Sequence, residues 1–201
     1  MGYTAAVNDD TSQRALEARL GEPLAVSVTL RPSALFDPIG RPKRRAEVAF
    51  VLQRRDASIW LMTKEFYPPD GYRLPTGGIR IGEPVEQALR REALEETGWT
   101  LTPSRYLARI DYRFEVPDGT NATFATHAFL LPCSDETPSP LDLSERISGF
   151  RRVPLSELSQ VAETLESLPD RHTEGFGAWR DWGAFRAVVH RVVAHALEDR
   201  A

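Results

Sequence analysis

The stretch LPTGGIRIGEPVEQALRREALEETGW, residues 74–99, joins a glycine-rich loop to a charged segment with helical features. Three glycines stand within six positions of the loop, which indicates unusual backbone dihedral angles or a close approach of the main chain. Pro84 suits the first position of a helix, and Gly98 suits its end. The pattern therefore predicts a helix over 84–97.

This predicted helix carries an unusual charge pattern on one face. At about 100° per residue, the apolar side chains of its first half share a sector with Glu92, Glu95 and Glu96 of its last turn. Like charges at these spacings repel by roughly a few tenths of a kcal/mol per pair, and the helix dipole disfavours anions at a C-terminus. A divalent cation would relieve both effects, and oxygen ligands suit Mg²⁺ or Mn²⁺. The alternative is a solvated acidic face paired with Arg90 and Arg91.

The same stretch resembles the signature of the Nudix hydrolases, in the form Gly77-x5-Glu83-x7-Arg91-Glu92-Ala93-x-Glu95-Glu96-x-Gly98-Trp99. Every charged and glycine position of that signature is filled. Ala93 and Trp99 stand where bulky aliphatic residues are commoner, and Arg80 stands where many members carry an acid. The resemblance implies an α+β fold, an α/β/α sandwich with a mixed β-sheet. It also implies hydrolysis of a nucleoside diphosphate linked to another group, with Mg²⁺ or Mn²⁺ as cofactor.

The resemblance assigns roles to the residues that match the signature. Arg91 would orient the glutamates through salt bridges rather than contact the substrate. The metals would neutralise the pyrophosphate and lower the pKa of a water molecule, and a carboxylate would take its proton. The implied metal ligands are Glu92, Glu95 and Glu96, with help from Glu83 and from the main-chain carbonyl near Gly77.

The sequence leaves the identity of the general base open. In this family the base is either on the signature helix, here Glu92, or on a later loop. Glu136 and Glu145 flank the proline-rich loop 132–143 and are the loop candidates, although the sequence around each one alone favours a plain surface glutamate. A cation lowers the basicity of its own ligands, whereas a loop glutamate can move in with the substrate. We therefore expect a loop base, with Glu145 ahead of Glu136.

Aromatic and basic side chains surround the signature. Residues 66–72, FYPPDGY, form a restrained loop whose aromatic rings either stack on a base or sugar or pack on the core. We take Tyr67, Tyr72 and Arg73 as candidate substrate-binding residues. The basic run at 41–45 favours a solvated entry into a strand over a nucleic-acid patch, with steering of an anionic substrate as a third possibility.

The remaining segments are organised around this motif. A predicted helix from Thr11 to Leu20 precedes a half-buried strand, Leu24–Leu30, that has no partner within its own segment. An unpaired edge strand invites pairing with another chain, so we expect a homodimer. The predicted units are an N-terminal extension (1–43), a Nudix-like domain (44–168) and a C-terminal segment (169–201).

Periodicity predicts the regular elements of the central and C-terminal units. The predicted strands are Ala46–Arg54, Ser58–Lys64, Arg105–Val116, Asn121–Leu131 and Ile147–Val153, and the predicted helices are Leu155–Leu168 and Ala178–Leu197.

Composition narrows the class of function. The net charge of −4 argues against a nucleic-acid partner, and one cysteine, Cys133, cannot form an internal disulfide. The single cysteine is typical of a protein that does not depend on oxidation, so we expect a cytoplasmic location. With no apolar run of about 18 residues, no membrane partner is expected. We expect a small nucleotide-derived substrate. The alternative function is a non-catalytic Nudix-fold module that binds or senses nucleotides. Such modules often lose signature carboxylates, and this chain keeps them.

Overall fold

The computed structural model describes residues 6–41, 43–174 and 176–198, so residues 1–5 and 199–201 of the predicted terminal segments lie outside it. The helices are α1 (Ala6–Leu20), α2 (Val85–Thr97), α3 (Leu158–Glu166) and α4 (Trp179–Glu198). The strands are β1 (Leu24–Leu30), β2 (Ala46–Gln53), β3 (Ser58–Lys64), β4 (Thr76–Gly78), β5 (Arg105–Glu115), β6 (Asn121–Pro132), β7 (Ile147–Pro154), β8 (His172–Thr173) and β9 (Gly177–Ala178). Two single turns of 3₁₀ helix, Leu143–Glu145 and Leu155–Glu157, complete the set.

A mixed sheet forms the middle layer of the molecule. Its strand order is β1-β5-β6-β2-β3-β7, with β4 paired to β2. The β1–β5 and β2–β6 pairs are parallel, and the other pairs are antiparallel. The predicted α+β class with a mixed sheet is confirmed.

Strand β2 shows why helices cover both faces of this sheet. Its side chains alternate between two apolar clusters because successive residues of a strand point to opposite faces. Val48 and Phe50 pack in one cluster with α1 and α2, whereas Ala49 and Val51 pack in the other with α3 and α4. The result is an α/β/α sandwich in which all four of these strand residues are completely buried.

The N-terminal strand, which was expected to have no partner within its own segment, finds one in the central unit. Strand β1 pairs with β5 in parallel along its whole length, from Leu24 opposite Ala108 to Leu30 opposite Phe114. Parallel partners lie far apart in sequence, so the neighbouring segment gave no sign of the pairing. β1 is still the terminal strand of the sheet, and the homodimer stays a prediction.

Most element boundaries agree with the sequence patterns to within two residues, and the exceptions are local. The predicted helix Leu155–Leu168 is divided into a 3₁₀ turn and α3, and α1 begins before Thr11. Strand β4 lies inside the glycine-rich loop, where its three residues are too few to show a period. No described helix has the length and apolarity needed to cross a bilayer.

Helix α4 is bonded directly to the segment that enters the glycine-rich loop. The His190 ring accepts a hydrogen bond from the Leu74 N–H at 3.0 Å through Nε2, and its Nδ1 donates to the Arg186 carbonyl at 2.7 Å. Both ring nitrogens are therefore satisfied by a neutral imidazole, as expected for a core histidine rather than a metal ligand. Burial lowers the pKa of His190 to about 3.

We predict that acid weakens the fold well above the pH at which carboxylates titrate. Burial also lowers the pKa of His127 to about 4, whereas an unfolded histidine titrates near about 6.5. Below that value the unfolded chain binds more protons than the native one. The histidine contribution to the free energy of unfolding should fall as the pH drops from about 6.5 towards 4, by about 2 kcal/mol per histidine at pH 5, while the raised pKa of Glu96 contributes in the opposite direction. Urea denaturation across this range measures the effect.

The variant His190→Gln isolates one of the two contributions. It should be less stable than the wild type at neutral pH, but its stability should depend less steeply on pH between about 6.5 and 5 because one titrating group is gone. His195→Gln, on the same helix, is the matched control. An unchanged slope in His190→Gln would show that this imidazole is protonated in the native state.

Candidate active site

Helix α2 begins and ends where its proline and glycine place it. Pro84 is the N-cap residue, with an extended backbone at φ −61° and ψ 142°. The helix therefore begins at Val85, one residue later than predicted. Gly98 closes the helix in the left-handed region at φ 76°, and its N–H donates to the Leu94 carbonyl at 2.9 Å. A Cβ on Gly98 would lie 2.5 Å from the Ser139 carbonyl oxygen. This position therefore needs glycine for both its dihedral angle and its contacts.

The glutamate-bearing face of α2 points inward, as the helical wheel predicts. Glu92 and Glu96 are buried with 6% and 1% exposure, and Glu95 is half-buried. Ala88 and Leu89 continue the same face into the core. The alternative of a solvated acidic face does not describe this helix.

Arg91 bonds the loop and the helix together. Its Nε and Nη2 donate to the two carboxylate oxygens of Glu83, each at 2.8 Å, and the hydrogen bond lowers the pKa of Glu83. Its Nη1 donates to Glu92 at 2.7 Å and to Glu95 at 3.1 Å. Nη2 also donates to the Gly78 carbonyl at 2.9 Å. One guanidinium thus positions three carboxylates, which is the geometry that an orienting role requires.

Glu96 differs from these three carboxylates. Neither of its carboxylate oxygens has a hydrogen-bond partner in the described part of the chain. Burial raises its pKa to about 8, although the charges of Lys64 and Arg73 act in the opposite direction. A buried carboxylate without partners costs stability, and a bound cation would supply what is missing.

Gly77 lies directly against the carboxylate of Glu92. A Cβ at this position would be 2.0 Å from Glu92 Cγ and 2.3 Å from Oε2, distances at which atoms clash. Only glycine lets the main chain come this close. The glycine loop and the α2 carboxylates therefore form one surface, with main-chain and side-chain oxygens side by side.

The residues of this surface fit a hard divalent cation. Among residues 6–41, 43–174 and 176–198, no three acidic, histidine or cysteine side chains lie close enough together to bind one metal ion. Three of the carboxylates are bound to Arg91 instead. The unpartnered oxygens of Glu96, the all-oxygen donor set and the close main chain at Gly77 are nevertheless what Mg²⁺ or Mn²⁺ prefers.

A cavity of about 370 Å³ opens beside the carboxylates. Its lining comes from the linker after β1, the central strands and helix α4, so both terminal segments contribute to it. Its cationic side chains are Arg41, Arg44, Lys64, Arg73 and Arg186, and its carboxylates are Asp37, Glu92 and Glu145. Its aromatic side chains are Phe66, Tyr67, Phe176 and Trp182.

The two loop glutamates are placed very differently. Glu145 lines the cavity and forms an ion pair with Lys64. Its loop is bonded to the end of α2, because the N–H groups of Leu141 and Asp142 donate to the Glu95 carbonyl at 2.9 and 3.1 Å. Glu136 is exposed and does not line the cavity. The structure therefore brings only Glu145 to the α2 carboxylates.

The three candidate substrate-binding residues also separate. The Tyr67 hydroxyl accepts hydrogen bonds from Arg73 Nε and Nη2 at 3.1 and 3.0 Å, and both residues line the cavity. Tyr72 does not line it. Its ring packs under the Arg151 guanidinium at 4.5 Å, on the side of the β3–β7 pair. Of the three, Tyr67 and Arg73 reach the cavity and Tyr72 does not.

The sequence analysis missed several cavity residues. Arg41 and Arg44 of the basic run 41–45 line the cavity. Arg41 is exposed, as expected for a solvated strand entry, whereas Arg44 is half-buried with only 23% of its side chain exposed. Arg186 gave a signal that was not used. It is a charged residue on the apolar face of a predicted helix, and it is only 3% exposed. Phe176 and Trp182 lie beyond the motif, and only the packing of α4 shows where they go.

The chain is similar to known proteins in sequence and in fold. The family model described as NUDIX domain matches residues 42–174. An RNA pyrophosphohydrolase of Caulobacter vibrioides is 40% identical over 63 residues, which cover 31% of this chain and 37% of that protein. A Mycobacterium tuberculosis protein that carries the name MutT4 is 34% identical over 146 residues, 68% of this chain and 54% of that protein.

The chain therefore spans about half or less of the length of these two curated relatives. Among solved structures, a Nudix hydrolase from Nitrosomonas europaea is 23% identical with a TM-score of 0.45. The match covers 61% of this chain and 80% of that one.

We predict that Glu96→Gln stabilises the metal-free protein and weakens metal binding. The amide keeps the shape of the side chain and removes the cost of protonating this carboxyl group, or of burying its charge above pH 8, so the free energy of unfolding should rise by roughly 1–3 kcal/mol at neutral or higher pH. Affinity for Mn²⁺ should fall at least about tenfold. Thermal melts in chelator and calorimetric Mn²⁺ titrations measure the two effects. Glu166→Gln, an exposed residue of α3, is the control, and unaltered Mn²⁺ affinity in Glu96→Gln would move the metal elsewhere.

Proposed function

The chain belongs to the Nudix family, and from this premise we propose that it is a metal-dependent hydrolase of pyrophosphate bonds. Its substrate would be a nucleoside diphosphate linked to another group, as in a nucleotide sugar, a dinucleotide or a nucleoside triphosphate. One observation supports the proposal, namely that Glu92, a buried carboxylate of α2, lines a cavity together with five cationic side chains. Carboxylates that bind a metal and cations that bind phosphate are the two requirements for this reaction.

The relatives support the reaction class without fixing the substrate. The Caulobacter vibrioides protein is named a pyrophosphohydrolase, and the match to it covers 63 residues of this chain. The alternative of a non-catalytic nucleotide-binding module gains no support from the site, because Glu83, Glu92, Glu95 and Glu96 are all present and brought together around Arg91 or beside it.

The proposed metal ligands are Glu92, Glu95 and Glu96, with Glu83 and the Gly77 carbonyl in support. Bound Mg²⁺ or Mn²⁺ would neutralise the pyrophosphate and lower the pKa of the attacking water. We propose that Arg91 holds the carboxylates in position for this role, which its hydrogen bonds to Glu83, Glu92 and Glu95 support.

We propose Glu145 as the general base that removes the proton from the attacking water. It lines the cavity together with Glu92, and Lys64 binds its carboxylate. Its loop is bonded to the last turn of α2, which fixes the approach of the carboxylate to the proposed metal ligands. Glu92 itself is bound to Arg91 and is proposed as a ligand rather than as the base.

The aromatic wall of the cavity supports a nucleotide as the rest of the substrate. The Phe176 ring stacks on Trp179 at 4.1 Å, and the Tyr67 ring lies edge-on to Trp182 at 4.7 Å, so the wall is rigid. Rings held in this way give a nucleobase a flat apolar surface to stack on. We further propose that the substrate is a small nucleotide-derived molecule. The enzyme would act as a homodimer in the cytoplasm.

The first test of the function is metal-dependent turnover. The protein should hydrolyse at least one member of a panel of nucleotide sugars, dinucleotides and nucleoside triphosphates with Mg²⁺ or Mn²⁺, and excess chelator should abolish the reaction. Released phosphate, measured after phosphatase treatment where needed, reports turnover. Full activity in excess chelator, or no hydrolysis of any compound in the panel, would contradict the proposed function.

The second test separates the candidate bases. Glu145→Gln should lower kcat by about 10²–10⁴ with little change in Mn²⁺ affinity, because it removes a proton acceptor and leaves the metal ligands in place. Glu136→Gln is the matched control from the same loop region and should retain nearly all activity. If Glu145→Gln keeps more than about a tenth of wild-type kcat, a smaller loss than a general base should cause, the role passes to Glu92.

A further inference from the structure

Two arginines of the cavity, the half-buried Arg44 and the buried Arg186, share a single carboxylate. Glu47, on β2, is completely buried, and its Oε1 accepts a hydrogen bond from Arg186 Nη1 at 2.6 Å. Its Oε2 accepts a longer one from Arg44 Nη2 at 3.4 Å. Thr126 also donates to Oε1, at 3.1 Å. The Arg186 side chain is only 4% exposed, so water contributes little to its solvation.

A third arginine adds charge without adding a counterion. The Arg73 guanidinium donates to the Tyr67 hydroxyl, the Leu74 carbonyl and the Thr76 hydroxyl, all of which are neutral. No carboxylate bonds to it within the described ranges, and it is 2% exposed. Burial lowers the pKa of Arg186, and the positive charge of Arg73 acts in the same direction. The negative charge of Glu47 acts in the opposite direction. Three guanidinium groups thus line the cavity beside one bonded carboxylate.

Two of these arginines also have an unused donor. The Nε atoms of Arg44 and Arg186 are buried and have no acceptor among the residues described. Arg44 lies against the glycine loop, since a Cβ on Gly78 would be 3.0 Å from its Nε. Unsatisfied, buried guanidinium donors are costly, and an anion that enters the cavity would satisfy both the donors and the excess positive charge.

We propose that Arg44, Arg73 and Arg186 form a subsite for a phosphate group beyond the two joined by the cleaved bond. This inference rests on the proposed function and narrows its substrate class to compounds with three or more phosphates in a chain. On the proposed function, the phosphates of the cleaved bond lie with the metal at the α2 carboxylates. The three arginines line the same cavity without bonding to those carboxylates, so they need a further anion. In a nucleotide sugar that place is taken by a neutral sugar, which leaves the guanidinium charges uncompensated. Guanidinium groups bind phosphate oxygens in pairs, which suits this subsite.

Calorimetry with inorganic polyphosphates in the presence of Mn²⁺ tests the subsite without a nucleobase. With the metal holding the first two phosphates at the α2 carboxylates, inorganic tripolyphosphate should bind more tightly than inorganic pyrophosphate. Arg44→Gln should weaken tripolyphosphate binding by about 10- to 100-fold, the loss expected for a hydrogen bond to a charged group. It should weaken pyrophosphate binding by much less. Arg113→Gln, an exposed arginine of β5, is the matched control and should change neither affinity.

Arg44 is the preferred target because its side chain is 23% exposed and Glu47 keeps its bond to Arg186 when Arg44 is changed. Arg186→Lys keeps the charge beside Glu47 and removes the paired donors, so it should also weaken tripolyphosphate binding. Thermal melts establish that both variants fold. Equal affinities for the two polyphosphates, or equal losses for both in folded Arg44→Gln, would overturn the subsite.

The two proposals can fail separately. If no compound of the hydrolysis panel is cleaved, the proposed function fails, while the calorimetric comparison still decides the subsite. If hydrolysis occurs but kcat/KM for ADP-ribose equals or exceeds that for ATP, the function stands and the triphosphate preference is wrong. The expected result is at least about a tenfold preference for ATP, reduced in Arg44→Gln, in line with the loss of one charged hydrogen bond.

Discussion

The hydrogen bonds of Arg91 are the interaction on which the rest of the site depends. A short helix that places three glutamates in one turn would place like charges side by side at the unfavourable end of its dipole. The Arg91 guanidinium offsets this repulsion for Glu92 and Glu95 and binds Glu83 through two oxygens. Because the same guanidinium also binds the Gly78 carbonyl, the carboxylates and the glycine loop are held as one unit. Glu96 is left outside this network, and its unpartnered oxygens mark the place where a cation would be most strongly bound.

That unit is supported from the opposite layer of the sandwich. The His190 ring of α4 accepts a hydrogen bond from the N–H of Leu74. Because Leu74 lies just before the glycine loop, the C-terminal helix helps to set the position of that loop. Four residues earlier, Arg186 bonds to Glu47, which lies opposite Gly78 in the β2–β4 pair. Two neighbouring turns of one helix thus reach both ends of the loop. The C-terminal segment is therefore part of the site as well as part of the core.

The fold and the acidic half of the site could be predicted from local patterns. The wheel over α2 shows which glutamates point inward because a regular helix repeats its geometry at every turn, and the glycine spacing shows where the main chain must approach Glu92. The partner of β1 was not predictable in the same way, since parallel strands meet only after a long crossover and leave no local sign. Strand β4 was missed because three residues show no period.

The basic half of the site depends on long-range packing, and its residues show why sequence reasoning stopped there. Arg44 and Arg186 are 142 positions apart in number, yet Glu47 binds both. In the sequence, Arg44 belongs to a basic run that looks solvated, and Arg186 is one polar residue in an amphipathic helix. Each position is unremarkable alone. Their common feature appears only when the sheet brings Glu47 between them, because Glu47 then bonds to both guanidinium groups. On the proposed function, the α2 carboxylates would bind a cation and the arginines would bind an anion, which would tie the two halves of the cavity to a single ligand chemistry.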